Sequence, residues 1–285
     1  VQRHGLLRWW LLAPGLIILA GLLGAPLAML ARESLRPYVG GQATAQAGWT
    51  LFHWAELFQP AYAFYFWETF RIGLIVTTMA VVFGAPLAWL AARTRRRGLR
   101  TALFGLLVGL LVMSLIARLY AIEMTWGTNG PLAGFGALIG IPARSPRYAE
   151  VMVAIGLLHF VLPVTALMLV GTFQNISPRI EEAAASLGAT RGMVALTVTL
   201  PAALPGLLSA FLIAFAMCIS NFVVPLVLGR GVVLFTTSLM YTRFSEVGNY
   251  PSGAAIGIAM LLLAFAVAYG FTAIIRGLMR EGRAA

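Results

Sequence analysis

Six stretches of this chain, residues 9–31, 67–92, 101–122, 149–175, 204–229 and 253–279, are each apolar and long enough to cross a bilayer. A helical span needs about 20 mostly apolar residues, because backbone polar groups inside hydrocarbon must be satisfied within the segment. The pattern predicts an all-α membrane protein with six transmembrane helices in a single domain, residues 1–285. Composition agrees: 60% of residues are hydrophobic and 10% charged, where a soluble domain carries about 25% charged residues. The first stretch follows Arg3 and Arg8, as a signal peptide would. It exceeds the apolar region of about 7–15 residues that such peptides use, and no clear small-x-small cleavage site follows, so a retained span is expected.

A seventh apolar stretch, 132–141, contains Gly134, Gly136 and Gly140 and is too short to cross; a re-entrant or surface segment is expected. With six spans, Arg3, Arg8, Arg93, Arg95, Arg96, Arg97, Arg100, Arg179, Arg191, Arg276, Arg280 and Arg283 fall on one side. Arg32, Arg36, Arg71, Arg118, Arg144, Arg147, Arg230 and Arg243 fall on the other. The larger set is concentrated in short loops, where the positive-inside bias acts, so both termini are expected to be cytoplasmic. The outer loop from Arg32 to Phe66 carries Trp49, Phe52, Trp54, Phe58, Tyr62, Phe64 and Tyr65. Such aromatic density beside a span predicts a helix in the headgroup region, with a docking surface for a soluble partner as an additional role. Pro14, Pro26, Pro86, Pro163, Pro205 and Pro225 lie inside the apolar stretches. The backbone groups they free must be satisfied by neighbours, which predicts a packed bundle. Gly105-x-x-x-Gly109 and Gly253-x-x-x-Gly257 are candidate close helix contacts.

The charges exclude several functions. All 20 basic residues are Arg and all nine acidic residues are Glu. Without Lys or Asp the chain can form neither a P-loop nor its magnesium-binding Asp, so any ATP it depends on is hydrolysed by another chain. The net charge of +11 comes from arginines mostly at span ends. That placement fits topology and anionic lipid rather than nucleic acid. The lone Cys218 permits no disulfide within the chain. His159 stands alone in an apolar stretch, where a hydrogen-bonded structural role is expected, and His4 and His53 are distant in sequence, so a metal site has little support. Gly-x-Ser-x-Gly and His-Glu-x-x-His are absent, which argues against a membrane-embedded enzyme.

Between the fourth and fifth spans lies a polar, helix-prone loop, 176–203. Ser177-Pro178 can start a helix, with Glu181 and Glu182 at its positive end. Gly188 can take a positive φ and break that helix; Thr190 can cap a second one running toward Thr199, ahead of Pro201. The expectation is two short helices at an angle, with Ala183 and Ala184 offering a smooth surface to a cleft. An ordinary amphipathic loop is the alternative.

The spacing Glu182-Ala183-Ala184, three residues, Gly188, nine residues, Val198, one residue, Leu200-Pro201 resembles the EAA loop of the permease subunits of bacterial ABC importers. The family usually has Ile where Val198 stands. The resemblance extends from Trp10 to Arg280. Ser114-Leu115-Ile116-Ala117-Arg118-Leu119-Tyr120, Asn129-Gly130-Pro131-Leu132, Leu162-Pro163 and Asn249–Ala254 resemble spermidine/putrescine-type permeases. Permeases for 2-aminoethylphosphonate and ferric iron share much of this pattern. The resemblance implies the type I importer permease fold. It implies that Glu181, Glu182, Ala183, Ala184, Gly188, Leu200 and Pro201 couple to an ABC ATPase subunit, with Glu182 facing basic residues there. ATP and magnesium would sit on that partner, and this chain would hold no cofactor. A second permease subunit (a heterodimer, as in polyamine systems) and an extracytoplasmic substrate-binding protein are the further partners implied. The implied function is ATP-driven import of a small solute, a polyamine or a related charged molecule; the competing expectation is a self-contained secondary transporter or channel.

Ionisable residues at membrane depth are costly and mark functional sites. Glu123, near Arg118 and Tyr120, is a candidate for attracting an amine cation, with an internal pair to Arg118 as the alternative. Glu68 is expected to pair with Arg71 three residues on. Ser220 and Asn221, placed in the middle of the fifth span, are expected to line a cavity or to bond between helices.

Overall fold

A computed structural model describes residues 3–38, 48–138 and 140–281. Its helices are α1 (Arg3–Ser34), α2 (Phe52–Glu56), α3 (Pro60–Arg93), α4 (Arg97–Val112), α5 (Leu115–Trp126), α6 (Phe135–Leu138), α7 (Pro146–Gln174), α8 (Pro178–Ser186), α9 (Arg191–Val194), α10 (Leu200–Ser220), α11 (Val223–Leu228), α12 (Thr236–Tyr241) and α13 (Tyr250–Glu281). Among the described residues five helices are long and apolar enough to cross a membrane, and a sixth crossing exists if α4 and α5 form one span. The chain forms two compact units, Val1–Phe64 with Leu239–Phe265, and Tyr65–Ser238 with Ala266–Ala285.

In the first unit, Leu16, Ile17, Leu22, Leu23 and Met29 of α1 are all exposed. That surface suits lipid or another membrane helix, not water. Trp54 Nε1 donates to Ser34 Oγ at 3.2 Å, which ties α2 to the end of α1. Between α1 and α3 the described residues hold one helix, the five-residue α2; Tyr62, Phe64, Tyr65 and Phe66 belong to α3, which starts earlier than expected, at Pro60. A proline at the start of a helix loses no bond and has its φ preset, which favours that earlier start. Gly253 packs so closely on Phe244 that a Cβ there would lie 2.8 Å from the ring. Around Gly105 and Gly109 there is open space, so only the later glycine pair makes a close contact within the chain.

The second unit is built around α7. Met152, Val153, Leu157 and Val161 are buried against Ile72 and Val76 of α3, Ala214 and Cys218 of α10, Leu119 of α5 and Leu228 of α11. A Cβ on Gly156 would meet Val224 at 2.9 Å, so this glycine lets α11 lie against α7. A second cluster, Ala88, Ala91, Leu169, Val170, Phe173, Ala203 and Leu207, packs the other ends of α3, α7 and α10. Its small residues bring three helix backbones together.

Two expected spans are interrupted. The third, read as one run over 101–122, breaks at Met113 and Ser114, both extended (ψ 136° and 129°), and its halves meet at 97°. Leu119 is buried in the core and holds α5 in its new direction. The fifth, read as 204–229, ends at Ser220. Asn221 is extended there, and its Oδ1 accepts from Val224 N at 2.9 Å, capping α11. Ser220 and Asn221 therefore stand at a helix break rather than mid-span. Thr237 Oγ1 donates to Asn221 O at 3.1 Å, so the freed carbonyl is satisfied. Among its described residues the segment 132–141 contains one helix, the four-residue α6, too short to cross.

Candidate functional site: the loop between α7 and α10

α8 stands out because none of its residues is buried. Pro178 occupies its first turn, followed by Glu181; Glu182 lies just beyond that turn. The helix ends in a pair of bonds, Gly188 N to Ala185 O at 3.0 Å and Ala189 N to Ala184 O at 3.2 Å. This is a Schellman end, and it requires a left-handed residue at position 188. Gly188 has φ +89°. Open space surrounds it, so the constraint is on backbone conformation and not on room. The next helix starts as expected, with Met193 N donating to Thr190 Oγ1 at 3.4 Å.

The second helix is not a separate short piece. α9 passes through a π turn, Ala195–Thr199, directly into α10, and Gly192–Ser220 counts as one span. Pro201 has no N–H and its ring would strike the carbonyl four residues back in a regular helix. The wider π turn, in which Leu200 N bonds Ala195 O, lies immediately before it and relieves that conflict. Leu200 and Pro201 therefore lie within a continuous helix, with Thr199 buried beneath.

The two glutamates point in different directions. Arg93, at the end of α3, donates to Glu181 Oε1 from Nη2 at 2.9 Å and from Nε at 3.2 Å. Thr199 Oγ1 donates to the same oxygen at 3.0 Å. Arg93 Nη2 also donates to Ile176 O at 2.9 Å, just past α7. Glu181 thus ties the loop to the ends of three long helices, and both charged groups are largely buried. Glu182 is exposed, as is Ala183, while Ala184 is half-buried. Leu187 is 88% exposed at the tip, and Ile180, Met193 and Leu196 are exposed nearby. A cavity of about 630 Å³ between α3 and α8 is lined by Trp89, Arg93, Arg95, Glu181 and Glu182. The result is a knob whose base is bonded to the long helices and whose outer face carries Glu182, Arg179 and apolar side chains. Sequence reading missed Arg93 and Thr199 as parts of it, because the arginine looked like one more topology signal at a span end.

Among the described residues, no hydrogen bond or ion pair joins the candidate pathway residues Tyr120, Glu123, Ser220 and Asn221 to one another. Tyr120 is exposed. Glu123 pairs with Arg230 Nη2 at 2.9 Å, not with Arg118. A separation of five along a helix turns two side chains well apart, and Arg230 is available from the loop after α11. Arg230 holds a left-handed φ of +51° in this arrangement. Arg118 is buried with no bonded partner on Nε or Nη1. Glu68 does pair with Arg71, at 2.6 Å, and Glu150 joins the same guanidinium at 2.8 Å. Among the described residues no hydrogen bond engages the His159 ring, where a structural bond is expected from the sequence.

Residues 80–281 match the family model for the binding-protein-dependent transport system inner membrane component. The chain belongs to this family. Among relatives of this transport component, the spermidine/putrescine permease protein PotB of Haemophilus influenzae is 27% identical over 216 residues, covering 75% of each chain. The molybdenum permease protein ModB of Azotobacter vinelandii is 27% identical, covering 70% of this chain and 88% of its own. The sulfate permease protein CysW of Synechocystis is 27% identical, covering 70% and 71%. In fold, the transport component resembles a chain of a bacterial ABC transporter that imports the acidic polysaccharide alginate, with TM-score 0.69, 17% identity and 96% of each chain covered. It also resembles a chain of the MetNI methionine ABC transporter, with TM-score 0.59, 20% identity, and 75% and 94% covered. The protein is therefore a multi-pass permease component of the ABC importer family and not an enzyme; ATP hydrolysis belongs to a separate subunit.

Proposed function

We propose that this chain is one of two membrane-spanning subunits of an importer for a small charged solute, and that α8 with its Gly188 turn is its contact with the ATPase. The single observation that carries this reading is the exposed knob whose base is bonded to α3 and α10 by the Arg93–Glu181–Thr199 cluster. A surface element joined this firmly to long helices can transmit a push as a rigid body. Glu182, Ala183 and Leu187 form the docking face, and Glu182 meets basic residues of the partner. ATP and magnesium are held by that partner. The loop and both termini face the cytoplasm, a binding protein delivers solute to the opposite face, and the second permease is a related but different chain.

The polyamine class keeps the support of the PotB relative, but the carboxylate proposed to attract an amine, Glu123, is occupied by Arg230. The test of the coupling reading is co-purification of the ATPase together with solute uptake in Glu182→Ala and Gly188→Val. Loss of ATPase binding or of uptake, with normal membrane insertion, supports it. Normal values of both in both variants reject it.

A further inference from the structure

The least explained charge in the molecule is Arg118. Its residue is 6% exposed, and neither Nε nor Nη1 has a hydrogen-bond partner. In the unit that holds Arg118, the described carboxylates that are not exposed are engaged with other cations: Glu68 and Glu150 with Arg71, Glu123 with Arg230, Glu181 with Arg93. An unpaired guanidinium taken out of water costs several kcal/mol, and a chain keeps one where something else completes it.

The surroundings say what that is. Arg118 lines a cavity of about 320 Å³ together with Met113, Ala121, Thr125, Trp126 and His159. Met113 is the point at which α4 and α5 break with a 97° bend. His159 is the fourteenth residue of the 29-residue α7, close to its middle. Non-helical backbone at membrane depth is tolerated where it lines a cavity, and transported solutes bind at such broken helices near the midplane. No carboxylate lines the cavity. Its polar side chains are the Arg118 guanidinium, which matches planar or tetrahedral oxyanions with two parallel bonds, the His159 imidazole, the Trp126 indole N–H, and the Thr125 hydroxyl, which donates to Ala121 O.

From this geometry we infer that the cavity at the α4–α5 break binds an oxyanion group, carboxylate, phosphonate, phosphate or sulfate, carried by the transported solute, with Arg118 as its main contact. The inference rests on the permease reading and fixes the sign of charge that the pathway accepts. A pure polycation has no counter-charge here.

The test uses the chain co-purified with its ATPase and embedded in phosphatidylcholine nanodiscs. The readout is the rate at which phenylglyoxal modifies Arg118, followed by mass spectrometry, with sulfate, inorganic phosphate, 2-aminoethylphosphonate or putrescine added at equal ionic strength. At least one of the anionic probes should slow modification about tenfold or more, equivalent to about 1.4 kcal/mol of binding, and putrescine should not. An Arg118→Met variant should lose uptake of the protecting solute, with Arg118→Lys retaining part of it, while both still bring down the ATPase. Absence of protection by every anion overturns the inference. So does protection that appears only when phosphatidylglycerol is added, which would make the ligand a lipid phosphate. Low reactivity in the complex but high reactivity in the isolated chain also overturns it, because the partner would then be protein. Failure of the ATPase to co-purify with wild-type chain would instead reject the permease reading, independently of the protection result.

Discussion

At position 188 a missing side chain decides the shape of the loop. The Schellman end of α8 needs φ near +89° there, and a β-branched residue in that region costs about 1–3 kcal/mol. Gly188→Val should therefore reorient α8 and abolish uptake, whereas Gly188→Asn, which tolerates the left-handed region, should retain a measurable fraction; comparing the two uptake rates checks this. The neighbouring glutamates should behave oppositely. Glu181→Gln or Arg93→Gln breaks a largely buried, charge-assisted pair and should lower unfolding stability by about 1.5–3 kcal/mol. Glu182→Ala touches an exposed side chain and should leave stability unchanged while weakening ATPase binding. Denaturation in detergent together with co-purification separates the two effects. The spacing around Glu182 was legible because it is written in consecutive residues. The inward turn of Glu181 was not: its partner Arg93 lies 88 positions away, and no local pattern encodes that meeting.

Apolar length located the helices well, and it failed where helices break. Hydropathy reports how deep a residue can sit, not whether the backbone is continuous, so Met113-Ser114 and Asn221 vanish inside apolar runs. Asn221 carried a usable sign, since it is a capping residue followed closely by Pro225. The π turn before Pro201 carried one too, because a proline without a helix start in front of it demands an irregular turn. The α5 pair Glu123–Arg230 fixes the element after the first break: Arg230 also donates to Ala143 O at 3.4 Å, so one guanidinium joins α5 to the loop before α7. Glu123→Gln should cost about 1.5–3 kcal/mol of stability and leave the ratio of anionic to cationic solute uptake unchanged. A shift in that ratio toward anions at unchanged stability would return Glu123 to the pathway.

For the molecule as a membrane component, sidedness follows from where the arginines fall. The positive-inside argument puts position 190 in the cytoplasm and position 144 outside. In intact cells an impermeant thiol reagent should reach an Arg144→Cys variant and not a Thr190→Cys variant; the reverse pattern would invert the topology. Residues Pro14–Met29 of α1 are exposed and supply surface for lipid or for the second permease proposed above. The central claim is that α8 meets the ATPase, and the chain is suited to a direct trial. Its one cysteine, Cys218, is buried, so an Ala183→Cys variant presents a single accessible thiol on the outer face of the knob. Cross-linking that variant in inside-out membranes containing the assembled importer, with a short thiol-to-amine reagent, measures the contact itself. The account predicts a covalent adduct with the ATPase subunit, lost when the Arg144→Cys variant is used instead. An adduct from position 144 and none from position 183 would contradict it.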